Sequence, residues 1–145
     1  MKKIMLFCTM FIMLAGCGKE EEIPQMLNVD LAVDPIQGEV KEPVKFRAKV
    51  TYGDEKVNDA DDVSFEIWLA NSDDHDKVAA KHKGNGIYEI EKTFDEEGTY
   101  YVYAHVTARD MHSMPKEEFV IGKPTPPEQN DGKKEMDEMN DEDMN

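Results

Sequence analysis

The chain has 145 residues, with 32 acidic and 17 basic side chains and a formal net charge of -15 at pH 7. A charge of this size repels phosphate backbones, which excludes nucleic acid as a partner. The only two cysteines, Cys8 and Cys17, lie close to the amino terminus. The sequence that follows them therefore has no disulfide, no thiolate metal site and no cysteine nucleophile.

The first segment, residues 1–17, has the pattern of a secretory signal peptide. Two lysines precede an apolar run from Ile4 to Ala15, which is shorter than the about 20 residues that a membrane-spanning helix needs. The run ends in Leu-Ala-Gly-Cys at 14–17, which resembles the bacterial lipobox. This resemblance implies that Cys17 receives fatty acyl chains and anchors the mature protein to the extracytoplasmic face of the cell membrane. The alternative is a plain secretory signal with an incidental cysteine.

Composition separates a folded middle from a polar tail. Residues 123–145 contain three prolines near their start and are then mostly acidic and polar, so they bury too little apolar surface to offset the entropy of ordering them. We expect a disordered tail at 123–145, whose methionines leave open a loose association with a metal. A short linker at 18–25 precedes residues 26–122, which have the usual size of one domain.

Apolar and polar residues alternate along the domain, which is the pattern of half-buried strands. In the segment VKFRAKV, for example, one side carries Val44 and Phe46 and the other carries Lys45 and Arg47. The alternating segments are 27–33, 44–50, 63–69, 77–82, 86–94, 100–108 and 117–122. Turn-forming residues lie between them, at the spacing of an antiparallel sandwich. We therefore predict an all-β fold, an immunoglobulin-like antiparallel β-sandwich of about seven strands.

A glycine turn precedes a tyrosine at the start of the longest predicted strand, in the sequence DEEGTY at 95–100. This arrangement resembles the tyrosine corner of immunoglobulin-like domains, in which the tyrosine hydroxyl bonds back to the backbone a few residues upstream. The segment from Thr99 to Arg109 would then be strand F of the sandwich.

Three stretches resemble the YtkA-like domain of small bacterial extracytoplasmic proteins, which is grouped with FixH-type proteins. They are FEIW at 65–68, KHKGNGIYEI at 81–90 and HVTARDMHSMPKEEFVIG at 105–122. The resemblance extends over about residues 28–122 and implies an immunoglobulin-like sandwich linked to copper handling or to assembly of a haem-copper oxidase. The chain differs from FixH-type proteins in having a predicted lipid anchor in place of a membrane helix.

Side chains that bind soft metal ions are concentrated within ten positions: His105, Met111, His112 and Met114. If the segment 77–82 is the strand that returns to the same end of the sandwich, it brings His82 near them. Imidazole with thioether and no thiolate suits copper, whereas zinc usually takes more histidine, cysteine or carboxylate ligands. These five residues are therefore our candidate copper ligands. Alternatively, the methionines cap the core and the histidines are ordinary surface residues.

Aromatic side chains share the outward positions of two predicted strands: Trp68, Tyr101 and Tyr103. They form a possible docking surface for a membrane enzyme or cell-wall component, unless the turn around His75 covers them. The sequence has no glycine elbow around a serine, no phosphate-binding loop and no HExxH pair, so we expect no enzymatic activity. Two hypotheses follow: a membrane-tethered copper-binding module, or a protein interaction module without metal.

Overall fold

The computed structural model describes residues 24–126. The predicted signal peptide, Cys17, most of the linker and most of the acidic tail lie outside the described residues. No helix within residues 24–126 has the length and apolar character that crossing a membrane requires.

The described residues form eleven strands and each segment with alternating polarity forms strand structure. The strands are β1 Leu27–Asp34, β2 Gln37–Gly38, β3 Val44–Tyr52, β4 Glu55–Lys56, β5 Asp62–Leu69, β6 His75–Ala79, β7 Lys81–Gly84, β8 Ile87–Lys92, β9 Gly98–Ala108, β10 Met111–Ser113 and β11 Lys116–Ile121. The strands that the sequence did not indicate, β2, β4 and β10, have two or three residues each.

These strands form two sheets. The first has the order β1-β3-β8-β7 with β4 beside β3, and the second has the order β2-β11-β9-β5-β6 with β10 beside β9. Strands β2 and β11 pair in parallel, whereas the other strand pairs of the described residues are antiparallel. The predicted all-β sandwich is confirmed. Its immunoglobulin-like character stays a prediction, which the strand order supports because A-B-E-D and G-F-C are the orders in such domains.

The core lies between the two sheets and is centred on Phe46. Its ring contacts Phe65 of the second sheet at 6.1 Å, Phe119 at 5.2 Å and Phe94 at 6.2 Å between centroids. Alternate side chains of a strand face opposite sides of the sheet, so burying Phe46 leaves Lys45 exposed to solvent. The alternation in the sequence is therefore the direct cause of the two-layer fold.

Tyr100, at the start of β9, makes the hydrogen bond expected of a tyrosine corner. Its hydroxyl donates to the carbonyl oxygen of Glu96 at 2.9 Å, and its ring stacks on Phe119 with 5.4 Å between centroids. These contacts fix where β9 begins. Because β9 has 11 residues, fixing its start also fixes the position of every outward side chain along the strand.

The segment 77–82 does not form the single returning strand that the sequence suggested. Its first part belongs to β6, which pairs with β5, and its last part belongs to β7, which pairs with β8 in the other sheet. The chain changes sheets at Ala80, whose N–H donates to the carbonyl oxygen of Val63 at 2.8 Å. Val78 and Ala80 both pack against the core. The alternation of apolar and polar residues therefore continues through the change of sheet, and the sequence pattern does not reveal it.

Candidate functional site

The outward side of the second sheet gathers most of the candidate residues. Side chains on directly paired residues of neighbouring strands point to the same face. The pairs are Trp68 with His75 and Tyr101, Glu66 with Tyr103, Tyr103 with Lys116, Ser64 with His105, and Thr107 with His112. We call the side chains of these residues the outer face. The intervening residues Val102, Ala104 and Val106 are fully buried in the core.

Glu66 lies between two histidines of the outer face. The Nδ1–H of His75 donates to Oε1 of Glu66 at 2.7 Å, and the Nε2–H of His105 donates to Oε2 at 2.5 Å. Hydrogen bonds lower the pKa of the Glu66 carboxyl below its ordinary value, and the bond from His75 has the larger effect and the bond from His105 the next largest. Glu66 is therefore an ionised acceptor that holds both rings.

A tight hairpin brings His112 next to His105. The two residues between β9 and β10, Arg109 and Asp110, have φ values of 52° and 58°, which is the geometry of a type I′ turn. The turn pairs His112 with Thr107, and Nδ1 of His112 lies 3.0 Å from Oγ1 of Thr107. The rings of His105 and His112 are then 5.9 Å apart between centroids.

This separation fits one metal ion shared by the two rings. A metal lies about 2 Å from a coordinating imidazole nitrogen and so about 3 Å from the ring centroid, which allows up to about 6 Å between two centroids. Within residues 24–126 there is no group of three or more histidine, cysteine, aspartate or glutamate side chains that could hold a metal. Imidazole combined with a methionine thioether is a donor set that suits copper.

The two methionines of the predicted cluster occupy different positions. Met111 pairs with Ala108, a fully buried residue, so Met111 lies on the core side of β10. Met114 is 43% exposed and lies between β10 and β11. The carbonyl oxygen of the next residue, Pro115, accepts a hydrogen bond from the N–H of Ala104 at 3.0 Å. Met114 is thus held beside the stretch of β9 that carries His105.

His82 lies at the same end of the sandwich but in the other sheet. Its Nε2 is 3.1 Å from Oδ1 of Asn58, and its ring packs on Tyr88 at 4.8 Å between centroids. The segment 57–61 lies between His82 and the β9–β10 hairpin, because Asp61 donates its N–H to the carbonyl oxygen of Thr107 at 2.8 Å. The structure therefore brings His105 and His112 together and leaves His82 with other partners.

The predicted aromatic surface is largely covered by neighbouring side chains. Trp68 is only 8% exposed, and His75 stacks on it with 4.6 Å between centroids and 12° between ring planes. The ammonium of Lys116 lies 4.1 Å from the ring centroid of Tyr101, 5.1 Å from that of Trp68 and 5.7 Å from that of Tyr103. Of the two alternatives that the sequence left for Trp68, the structure favours the covered one.

Sequence reasoning missed Glu66, Thr107 and Lys116 as members of this site. The alternation in β5 did place Glu66 outward beside Trp68, which was the available signal. The sequence did not show that β5 pairs with β9, because this pairing joins residues that are far apart in the sequence.

The fold and the outer face define a small β-sandwich domain with paired histidines beside a packed aromatic cluster. The sequence matches the YtkA-like family over residues 21–105, and the chain belongs to this family, as the resemblance indicated. The match ends at His105. Met111, His112 and Met114 therefore lie outside the matched residues.

Similarity to individual proteins of known structure is low, and no curated protein matches the sequence. A DUF4785 family protein from Legionella pneumophila aligns with 72% of this chain at 12% identity and a TM-score of 0.47, and this chain spans 30% of its length. The soluble domain of PmoD from a Methylocystis species aligns over 68% of this chain and 92% of its own length, with 12% identity and a TM-score of 0.43. A superoxide reductase (neelaredoxin) from Ignicoccus hospitalis aligns over 70% of this chain and 82% of its own length, with 11% identity and a TM-score of 0.40. Similarities of this size do not transfer a function.

Proposed function

We propose that this protein is a membrane-anchored extracytoplasmic lipoprotein whose YtkA-like domain binds copper through His105 and His112, with Met114 as the third ligand. The role would be copper handling or the assembly of a haem-copper oxidase. The observation that carries the proposal is the 5.9 Å separation of the two imidazole rings, with the thioether of Met114 on the adjacent chain segment.

The donor set suits a copper ion that is held and passed on. Thioether sulfur is a soft ligand that favours Cu(I), and imidazole binds copper in both oxidation states. Met114 is 43% exposed and His112 is also exposed, so a partner protein can approach two of the three ligands directly. We infer a binding and delivery role in preference to catalysis.

The amino terminus of the domain lies at the same end as the proposed site. The N–H of Gly53 donates to the carbonyl oxygen of Met26 at 3.4 Å, and β1, which follows Met26, contacts β10. A chain from Cys17 to Pro24 spans at most about 25 Å. If Cys17 is lipidated, the copper ligands lie close to the membrane surface, which favours a membrane protein as the partner that receives the metal.

The test is a Cu(I) competition titration against a colourimetric chelator, using the chain from Gly18 to Asn145. We expect the wild-type chain to withdraw one equivalent of copper and His112→Ala to bind it much more weakly. His82→Ala is the matched control, because it removes the same side chain from the other sheet and should leave the affinity unchanged. Absence of competition by the wild-type chain, or equal losses in both variants, would contradict the proposal.

A protein interaction module without metal is the second candidate. The observation that favours it is the ammonium of Lys116 over the rings of Tyr101 and Tyr103, which places a cation beside aromatic rings on a strongly acidic protein. In this case Tyr103→Ala would abolish capture of a membrane partner, whereas His112→Ala would have no effect on it.

A further inference from the structure

The hydrogen bonds of the outer face assign a specific task to Glu66. We propose that Glu66 is a positioning residue for the copper site: its carboxylate holds the ring of His105 through Nε2–H and thereby presents Nδ1 to the metal. This inference rests on the proposed copper function and adds a residue that does not itself bind the ion.

The carboxylate of Glu66 is well placed to fix another side chain. It projects from β5, an interior strand of its sheet that pairs with β9 on one side and with β6 on the other. Its side chain is 24% exposed, and that of His105 is 13% exposed. A hydrogen bond between two partly buried groups on adjacent strands loses less to competition with water than one between fully exposed groups.

The chemistry of imidazole turns this hydrogen bond into a choice of ligand atom. A neutral ring carries one N–H and one lone pair, so donation of Nε2–H to Glu66 leaves the lone pair of His105 on Nδ1. Histidines that bind metals usually donate their other N–H to a carboxylate or carbonyl group, which fixes the tautomer and makes the ligand nitrogen more basic. Glu66 and His105 have this arrangement.

His75 completes the arrangement by holding the second oxygen of Glu66. Its Nδ1–H donates to Oε1 at 2.7 Å, while its ring is stacked on Trp68. With both oxygens engaged, the carboxylate cannot rotate without breaking a hydrogen bond. One connected row of contacts therefore runs through Trp68, His75, Glu66 and His105. Through this row the aromatic cluster helps to hold the metal ligand His105 in place, in addition to covering the sheet.

The same geometry suggests how His112 joins the site. When its Nδ1–H donates to Oγ1 of Thr107, its lone pair is on Nε2. Each of the two rings then has one nitrogen committed to the protein and one for the metal. Glu66 and Thr107 have equivalent tasks, but Glu66 is charged and therefore has the larger effect on its ring.

The variant that tests the inference is Glu66→Gln, which keeps the shape of the side chain and removes its charge. Glu118→Gln is the matched control, because Glu118 is exposed, belongs to β11 of the same sheet and pairs with Tyr101. We expect the affinity for Cu(I) to fall by about 10- to 100-fold in Glu66→Gln and to be unchanged in Glu118→Gln. Glu66→Asp retains the charge on a shorter side chain and should also lose affinity.

A second measurement uses the copper-free chain. In mildly alkaline buffer, 15N-detected imidazole correlations report which nitrogen of His105 carries the proton. We expect the proton on Nε2 in the wild-type chain and a mixture of tautomers, or the opposite one, in Glu66→Gln. A wild-type chain that has the expected tautomer but fails to bind copper would contradict the proposed function, and with it the task of Glu66 at a copper site, while confirming that Glu66 fixes the ring of His105. An unchanged tautomer together with unchanged copper affinity in Glu66→Gln would overturn the inference and leave the proposed function standing.

Discussion

Replacing Trp68 with alanine tests whether the aromatic side chains of the outer face stabilise the domain or are available to dock a partner. Trp68 is 8% exposed, although it lies on the side of the sheet that faces away from the core. A tryptophan buries about 150–250 Å², which at about 25 cal/mol per Å² corresponds to about 4–6 kcal/mol. Measured costs for truncating a buried tryptophan to alanine are about 3–5 kcal/mol, and we expect a loss in that range.

Such a loss would be a large part of the about 5–15 kcal/mol that stabilises a typical domain. The assay is equilibrium unfolding in urea followed by far-ultraviolet circular dichroism, since Trp68 is the single tryptophan of the chain and the variant has no tryptophan fluorescence. Met114→Ala is the control, because a side chain that is 43% exposed should cost less than about 0.5 kcal/mol. A loss below about 1 kcal/mol for Trp68→Ala would refute the packed arrangement and restore the aromatic residues as a docking surface.

Three further changes test the corner, the hairpin and the anchor. Tyr100→Phe removes the hydrogen bond to Glu96 and should lower the free energy of unfolding by about 0.5–1.5 kcal/mol, measured against Tyr52→Phe. Burial raises the pKa of Tyr100 above its ordinary value of 10.0, so its contribution to stability is complete below pH 10.0 and decreases as the pH rises through the folded-state pKa; a pH series of unfolding curves should show this decrease in the wild-type chain and a smaller one in Tyr100→Phe. Asp110→Gly relieves a positive φ of 58° and should stabilise the domain by about 0.5–1 kcal/mol; a lower melting temperature would contradict the turn geometry. Cys17→Ser should move the protein from the membrane fraction to the soluble fraction of cells, and unchanged membrane association would exclude anchoring through this cysteine.

The strands could be predicted from the sequence because the signal for a half-buried strand is local. Alternate apolar residues in β3 and β9 face the core, and neither tertiary packing nor a ligand is needed to recognise them. The position of Tyr100 was also evident, since a tyrosine corner depends on residues only a few positions apart. The hydrogen bond to Glu96 confirms that expectation.

The composition of the site could be predicted only in part, because it depends on which strands are neighbours. His105 and His112 are close together in the sequence and were both candidate ligands, but the β9–β10 hairpin that brings their rings together was not predicted. The hydrogen bond from His105 to Glu66 crosses 39 positions of the chain and requires the register of β5 against β9. The sheet to which His82 belongs could not be predicted for a related reason, since the change of sheet at Ala80 leaves the local alternation intact.

The most direct test of the central claim is X-ray absorption at the copper edge, recorded on the Cu(I)-loaded chain and on its His112→Ala and Met114→Leu variants. The account predicts two imidazole nitrogens at about 2.0 Å and one sulfur at about 2.3 Å in the wild-type chain. It also predicts that His112→Ala loses one imidazole and that Met114→Leu loses the sulfur. A wild-type spectrum without sulfur, or spectra that are the same in all three proteins, would contradict a copper site built from His105, His112 and Met114.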